Sequence, residues 1–225
     1  MKLKFIFISL LLSIPTWAQD VDEDLDLKYR EDQFYLGVTY GLLRDLPDDV
    51  SQTGFSGGII AGFIRDFPVN TKRTFAFGLG LGYSGSSYNQ NLFIPEDDSD
   101  NFLALDRSTF NRNRFFTHVV EAPLELRWRN SSPDDYRFLR IYTGFKFGYI
   151  FAASSRFESD TIDERFNSVN NFNRFQFGAT LSIGYNVWNL YVYYGLNSLF
   201  SDQTNLNGSS IDTNVVNAGL IFYLL

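Results

Sequence analysis

The residues best suited to do chemistry stand close together, between Phe116 and Lys146. His118 is the single histidine of the chain. A histidine works as a general base only with a nucleophile or carboxylate in hydrogen-bond reach, and as a metal ligand only with further ligands around it. Glu121, Glu125, Arg127 and Arg129 follow at even spacing, with Arg140 and Lys146 beyond a short break. Two carboxylates four residues apart are a conceivable acid–base pair. The same spacing also places them on one face of an extended strand, beside basic groups that can neutralise them.

The remaining candidates are weaker. Glu96, Asp97, Asp98 and Asp100 offer oxygen ligands for a calcium ion, but without the spacing or glycine of an EF-hand loop. The glycines of Gly54–Gly58 and Gly78–Gly82 are followed by no phosphate-binding lysine and no helical pattern. No serine sits in a nucleophile-elbow motif. The chain has no cysteine, which excludes disulfides and zinc–thiolate sites. The expectation is therefore no catalytic site, no metal site, no cofactor and no enzymatic activity.

The elements that must carry these residues are strands. In Thr74–Tyr83, Phe75, Phe77, Leu79, Leu81 and Tyr83 alternate with Thr74, Ala76, Gly78, Gly80 and Gly82. As a helix this segment would carry three interior glycines at about 1 kcal/mol each. The same alternation recurs in Phe34–Leu43, Phe55–Ile64, Phe116–Trp128, Phe138–Phe151, Arg174–Tyr185, Leu190–Leu199 and Val215–Leu225. Each run is close to the 9–11 residues or so that a tilted strand needs to cross a bilayer. An all-β, antiparallel, up-and-down transmembrane barrel of about eight strands follows. With 24 Phe and 13 Tyr but a mean hydropathy of −0.14, the composition also fits a wall whose apolar outer positions alternate with small or polar inner ones.

The connections sort by length. Asp66–Lys72, Asn130–Asp135 and Asn186–Asn189 are short and rich in turn residues, whereas Arg44–Thr53, Ser84–Arg114, Arg156–Asn173 and Ser201–Asn214 are long and polar. Short periplasmic turns and long extracellular loops characterise outer-membrane barrels. On that reading Glu121, Glu125, Arg127, Arg140 and Lys146 form a charge network in the lumen, with Glu121 and Glu125 meeting Arg127, Arg140 or Lys146 across strands. A barrel this narrow fills its interior with side chains.

Residues 1–18 read as a signal peptide, with Lys2 and Lys4 before the apolar run Phe5–Ile14 and the small residues Thr16 and Ala18 at the cleavage positions. Its removal leaves 17 basic and 26 acidic side chains, about −9 in formal net charge, which argues against nucleic acid as a partner. Residues 19–32 form an acidic periplasmic segment, and 33–225 the barrel, with outer-membrane lipid as its surroundings.

The run Phe116-Thr117-His118-Val119-Val120-Glu121-Ala122-Pro123-Leu124-Glu125-Leu126-Arg127, with the glycine-bearing strand Arg140–Gly148 after it, resembles the central hairpin of the PorT-like outer-membrane β-barrel family. The final residue, Leu225, departs from the phenylalanine on which such barrels commonly end. The resemblance implies a gram-negative outer membrane and an accessory or assembly role in type IX protein secretion, with secretion-machinery proteins as partners. Two other readings stand beside it: a small porin-like transport barrel, and a lipid-modifying enzyme that would need His118 beside a serine or aspartate.

Overall fold

The computed structural model describes residues 32–94, 101–130, 138–167, 169–206 and 208–224. The expected signal peptide, the acidic segment as far as Glu31, the cluster Glu96, Asp97, Asp98 and Asp100, and all of the second short turn except Asn130 lie outside the described residues.

In chain order the strands are β1 (Asp32–Arg44), β2 (Gly57–Pro68), β3 (Phe75–Asn89), β4 (Leu92–Phe93), β5 (Asn101–Ala104), β6 (Arg112–Arg129), β7 (Leu139–Glu158), β8 (Asp163–Phe166), β9 (Phe175–Tyr185), β10 (Trp188–Gly195), β11 (Asn205–Leu206), β12 (Ser209–Ser210) and β13 (Asn214–Leu224). Eight of them are the staves of one closed antiparallel sheet. The order β6-β3-β2-β1-β13-β10-β9-β7 closes on itself through β6–β7. Closure satisfies the backbone of every stave through its neighbours, the condition for crossing hydrocarbon with strands.

Burial is inverted relative to a water-soluble protein. Phe34, Leu81 and Leu190 on the outer face are 61, 68 and 67% exposed, while the inward Asp66, Arg127 and Asn189 are 2, 1 and 0% exposed. Apolar surface of this extent is stable against lipid, not against water. Between Phe116 and Trp128, both on the outer face of β6, the strand gains about 30 Å of height at a tilt near 40°, enough to cross the apolar band between two aromatic girdles.

Two sequence expectations change. Asp66 was expected in a short turn, on the strength of an Asp and a Pro close together. Instead β2 runs on to Pro68, and Asp66 lies opposite Gly78 of β3 with its side chain in the lumen. The glycine leaves the space that the carboxylate and its partners fill. The long connections, expected as polar loops, carry an apolar core of their own. β4, β5, β11 and β12 form a second sheet of order β12-β11-β5-β4. Leu92, Phe102, Phe115, Phe172, Phe200 and Ile211 are buried together. Phe200 packs against Phe102, Phe115 and Phe172 with ring centroids 5.3 to 5.9 Å apart. At about 1.5–3 kcal/mol for each large apolar side chain buried, this cluster holds the loops as a cap.

β6 and β7 are the longest staves and continue past the girdle. A register shift between His118 and Val119 marks a bulge around Phe151 on β7. Above it the inward phase changes from Ile150 to Ala153 and Ser155, and β8 adds to the outer edge of β7.

Curvature this tight depends on glycines facing inward. A Cβ on Gly144 would stand 2.0 Å from the Leu124 carbonyl oxygen and 2.7 Å from Glu125 Cα, both backbone atoms that cannot step aside. Gly144→Ala is therefore expected to lower stability by about 1–3 kcal/mol, the usual cost of overpacking, read as a lower urea midpoint of the barrel folded in vesicles. Gly54→Ala, where the nearest atom is 3.7 Å away, is expected to leave the midpoint unchanged.

Candidate functional site

Alternation along the staves sends one side-chain set inward, and most of the polar chemistry of the barrel collects there in two layers. The periplasmic layer is built on Asp66 of β2. Its two carboxylate oxygens accept separately from Arg127 Nη1 and from Arg129 Nη1, the latter at 2.6 Å. Arg127 Nη2 donates to Gln33 Oε1 at 2.9 Å, and Arg129 Nε to the Arg73 carbonyl at 3.0 Å. The Arg127 guanidinium lies 3.8 Å from the centroid of the Tyr142 ring and 4.9 Å from that of Tyr223. A planar cation stacked on aromatic faces while its fork binds oxygens is the role for which arginine, rather than lysine, is suited.

The middle layer is built on Glu121. Lys146 Nζ stands 2.9 Å from Glu121 Oε2, and the Tyr35 hydroxyl donates to Glu121 Oε1 at 3.3 Å. The ammonium also lies 4.9 and 5.3 Å from the Tyr193 and Tyr191 rings. Above this layer, beneath the apolar cap, a cavity of about 50 Å³ is bounded by Lys146, Ile150 and Tyr193. At roughly 10–15 Å³ per water centre it holds a few waters and no metabolite.

The five residues singled out from the sequence all face the lumen, but their partners differ from expectation. Glu121 and Lys146 meet across β6 and β7. Glu125 meets Arg127 at 3.4 Å along its own strand instead of across strands. Arg140 meets no carboxylate among the described residues. It donates to the Asn186 carbonyl at 2.6 Å and lies 4.4 Å above the Phe138 ring. Sequence reasoning missed Asp66, the carboxylate that joins Arg127 to Arg129. Extending the alternation Phe63, Arg65, Phe67 by one turn-forming residue would have placed it inward.

His118 faces outward. Its Nδ1 is 2.7 Å from the Tyr83 hydroxyl, and its ring stands 6.0 Å from that of Phe151. Its hydrogen-bond partner is a phenol, not the serine or aspartate that a lipid-modifying mechanism would require. Among the described residues no three His, Cys, Asp or Glu side chains converge to hold a metal ion.

A closed eight-stave barrel with an apolar exterior and a charged, filled interior is the arrangement of a small outer-membrane protein. Residues 17–201 match the model of a family described as outer membrane protein beta-barrel domain. The chain belongs to that family. As an outer membrane protein beta-barrel domain it resides in the outer membrane, with the first and last staves starting and ending at the periplasmic rim and the cap outside the cell. No curated protein matches it. Among solved structures it is similar to Ail, the attachment invasion locus protein of Yersinia pestis, at 14% identity over 85% of this chain and 99% of that one, with a TM-score of 0.30. It is similar also to Ail in complex with the heparin analogue sucrose octasulfate, at 16% identity over the same shares, with a TM-score of 0.35.

Among the described residues, the lumen of this outer-membrane barrel holds four buried cations, Arg127, Arg129, Arg140 and Lys146, against three buried carboxylates, Asp66, Glu121 and Glu125. Asp66→Ala removes the carboxylate that Arg127 and Arg129 share and is expected to cost about 3–5 kcal/mol, read as a lower urea midpoint. The double variant Glu121→Leu/Lys146→Met removes both members of the upper pair. It is expected to cost markedly less than Glu121→Leu alone, so a double-mutant cycle separates the pair from the burden of an unmatched charge.

Proposed function

We propose that this protein is a non-enzymatic outer-membrane barrel that does not conduct and acts through its exposed ends, as an accessory or assembly factor for protein secretion of the PorT-like kind. The observation that carries the non-conducting part is the double occlusion of the lumen. The Asp66–Arg127–Arg129 layer and the Glu121–Lys146 layer block the shaft, and the Phe200-centred core roofs it. A channel needs a continuous aqueous path, and eight staves leave no width for one once side chains are in place.

The secretion role rests on the resemblance of the β6–β7 hairpin to its PorT-like counterpart. It is consistent with that hairpin extending beyond the girdle, where another protein can reach it. A rigid cap on a closed barrel presents a fixed outline, the property a docking partner uses.

Two measurements test the reading. Purified protein in a planar bilayer is expected to give no stepwise conductance, and a reproducible ohmic conductance would establish the porin-like alternative instead. A tagged copy extracted from native outer membranes with mild detergent is expected to bring secretion-machinery proteins with it. Recovery of the barrel alone would remove the secretion assignment.

A further inference from the structure

Above the outer girdle, the exterior of the barrel carries a row of arginines that oppose one another across β6, β7 and β8. Arg114 of β6 lies directly opposite Arg156 of β7, and Arg156 directly opposite Arg165 of β8. One register step further out, Arg112 faces Glu158, which faces Asp163. Directly opposed residues on antiparallel strands have Cβ atoms about 4.5–5.5 Å apart, and like charges placed so are destabilising. Two such oppositions in succession, in a chain of formal net charge −7, are a cost that a fold could avoid with any neutral pair.

Among the described residues, ion pairs within 4 Å reach only the middle arginine of the row. Asp163 accepts two hydrogen bonds from Arg156, at 3.0 Å from Nε and 2.8 Å from Nη2, and Glu158 stands 3.8 Å from the same guanidinium. The Arg156 hydrogen bonds hold the Asp163 carboxyl below the usual carboxylate range, so it stays charged and committed to Arg156. Arg112, Arg114 and Arg165 form no ion pair among the described residues. Arg114 is held in place, its guanidinium 4.8 Å above the Phe116 ring, yet its Nε is buried from solvent with no hydrogen-bond partner.

Directly below this row the outer wall is hollow. Tyr40 of β1, Gly57 of β2, Ser87 of β3 and Phe116 of β6 share one outward row, and Val38, Ile59, Gly85 and His118 the next row down. The small residues leave a groove of about 620 Å³ walled by Phe55, Phe116 and His118 and topped by Arg114. Arg114 is two residues beyond Phe116, about 5 Å further out along a tilted strand, at the level where the headgroups of the outer leaflet lie.

We propose that the Arg112–Arg114–Arg165 surface and the groove beneath it form a binding site for a phosphorylated glycolipid of the outer leaflet, the phosphate on the arginines and an acyl chain in the groove. A guanidinium fork binds phosphate oxygens in bidentate fashion, and a phosphate dianion relieves the repulsion along the row. An acyl chain fits a hollow that faces hydrocarbon. The Tyr83–His118 pair in the groove wall bonds two polar side chains to each other, which leaves one donor of the pair facing the groove.

The test uses the full barrel in detergent micelles and native mass spectrometry, with diphosphorylated lipid A as the probe. The wild type is expected to retain this lipid and to bind its fully dephosphorylated form at least tenfold more weakly. Arg114→Gln/Arg165→Gln is expected to weaken the phosphorylated lipid at least tenfold. Arg65→Gln, at the opposite rim, is expected to leave binding unchanged. Ser87→Trp, which fills the groove, is expected to weaken the lipid but not pyrophosphate. Each variant is first checked for the folded-barrel mobility shift on unheated gels. Because Arg165 and Ser87 lie outside the lumen network, Arg165→Gln alone serves if the double variant misfolds. Equal binding of the dephosphorylated lipid, an equal loss in Arg65→Gln, or pyrophosphate binding as tightly as the lipid would each overturn the proposal. The last would identify a free-anion site.

Discussion

The rest of the molecule depends on the interaction of Asp66 with Arg127 and Arg129. Eight staves enclose a shaft so narrow that inward side chains must fill it, and charge placed there has little water to solvate it. Asp66 is the group that makes two neighbouring arginines on β6 tolerable, because each of its oxygens serves a different guanidinium. Since Asp66 comes from β2 while the arginines come from β6, the pair spans β3 and fixes the wall on either side of it. The glycines of β3 belong to the same constraint: Arg127 lies over Gly78, where a Cβ would meet its Cδ at 2.7 Å. The charge layer and the glycine pattern therefore cannot be varied separately.

Outside the wall the solvent is lipid, and the same alternation serves a different end. Phe34, Phe77, Leu81, Phe147 and Leu190 gain nothing from one another that hydrocarbon would not supply, so they carry no packing specificity. Specificity comes from within, from tyrosines that combine bulk with a polar tip. Tyr35, Tyr142, Tyr191, Tyr193 and Tyr223 surround the lumen charges, soften them through ring faces and occupy the volume that water would otherwise take. A shaft packed with leucine could not hold the charges, and one packed with short polar residues would be wet. The barrel stays closed because its interior is aromatic and charged together.

The fold was legible because a period of two is a strong signal over eight segments, and because loop lengths alternate with it. Strand faces were assigned correctly even across β6 and β7, where Glu121 and Lys146 were placed on the inner face from spacing alone. What failed did so for local reasons. Asp66 stands beside Phe67 and Pro68, and turn propensity of Asp and Pro outweighed one further period of alternation, so the central carboxylate was read as part of a turn. The cap was invisible because Leu92, Phe102, Phe172, Phe200 and Ile211 come from three separate connections with no common period. Their meeting is set by the barrel rim that brings those connections together. The arginine row was hidden for a similar reason: Arg114 is 42 residues from Arg156 and meets it and Arg165 only through register, and the bulge at Phe151 decides that Arg156 shares the outward face of Arg114.

On the proposed non-conducting reading, the filled lumen leaves the two rims, the lipid-facing wall and the cap as the places where the barrel acts. The rims are chemically unequal. At the periplasmic end Asp66, Arg127 and Arg129 are turned inward and paired, and the wall ends in Trp128, Trp188 and Tyr185. At the outer end β6, β7 and β8 continue as a three-stranded flap whose outward face bears arginines with few acids to answer them. Like charges held opposite one another favour a nearby counter-charge, and the flap stands at the level of the outer-leaflet headgroups. The filled interior and the arginine-bearing exterior are two sides of one alternation: charge inside the shaft is paired across the staves, and charge on the outer flap is turned outward.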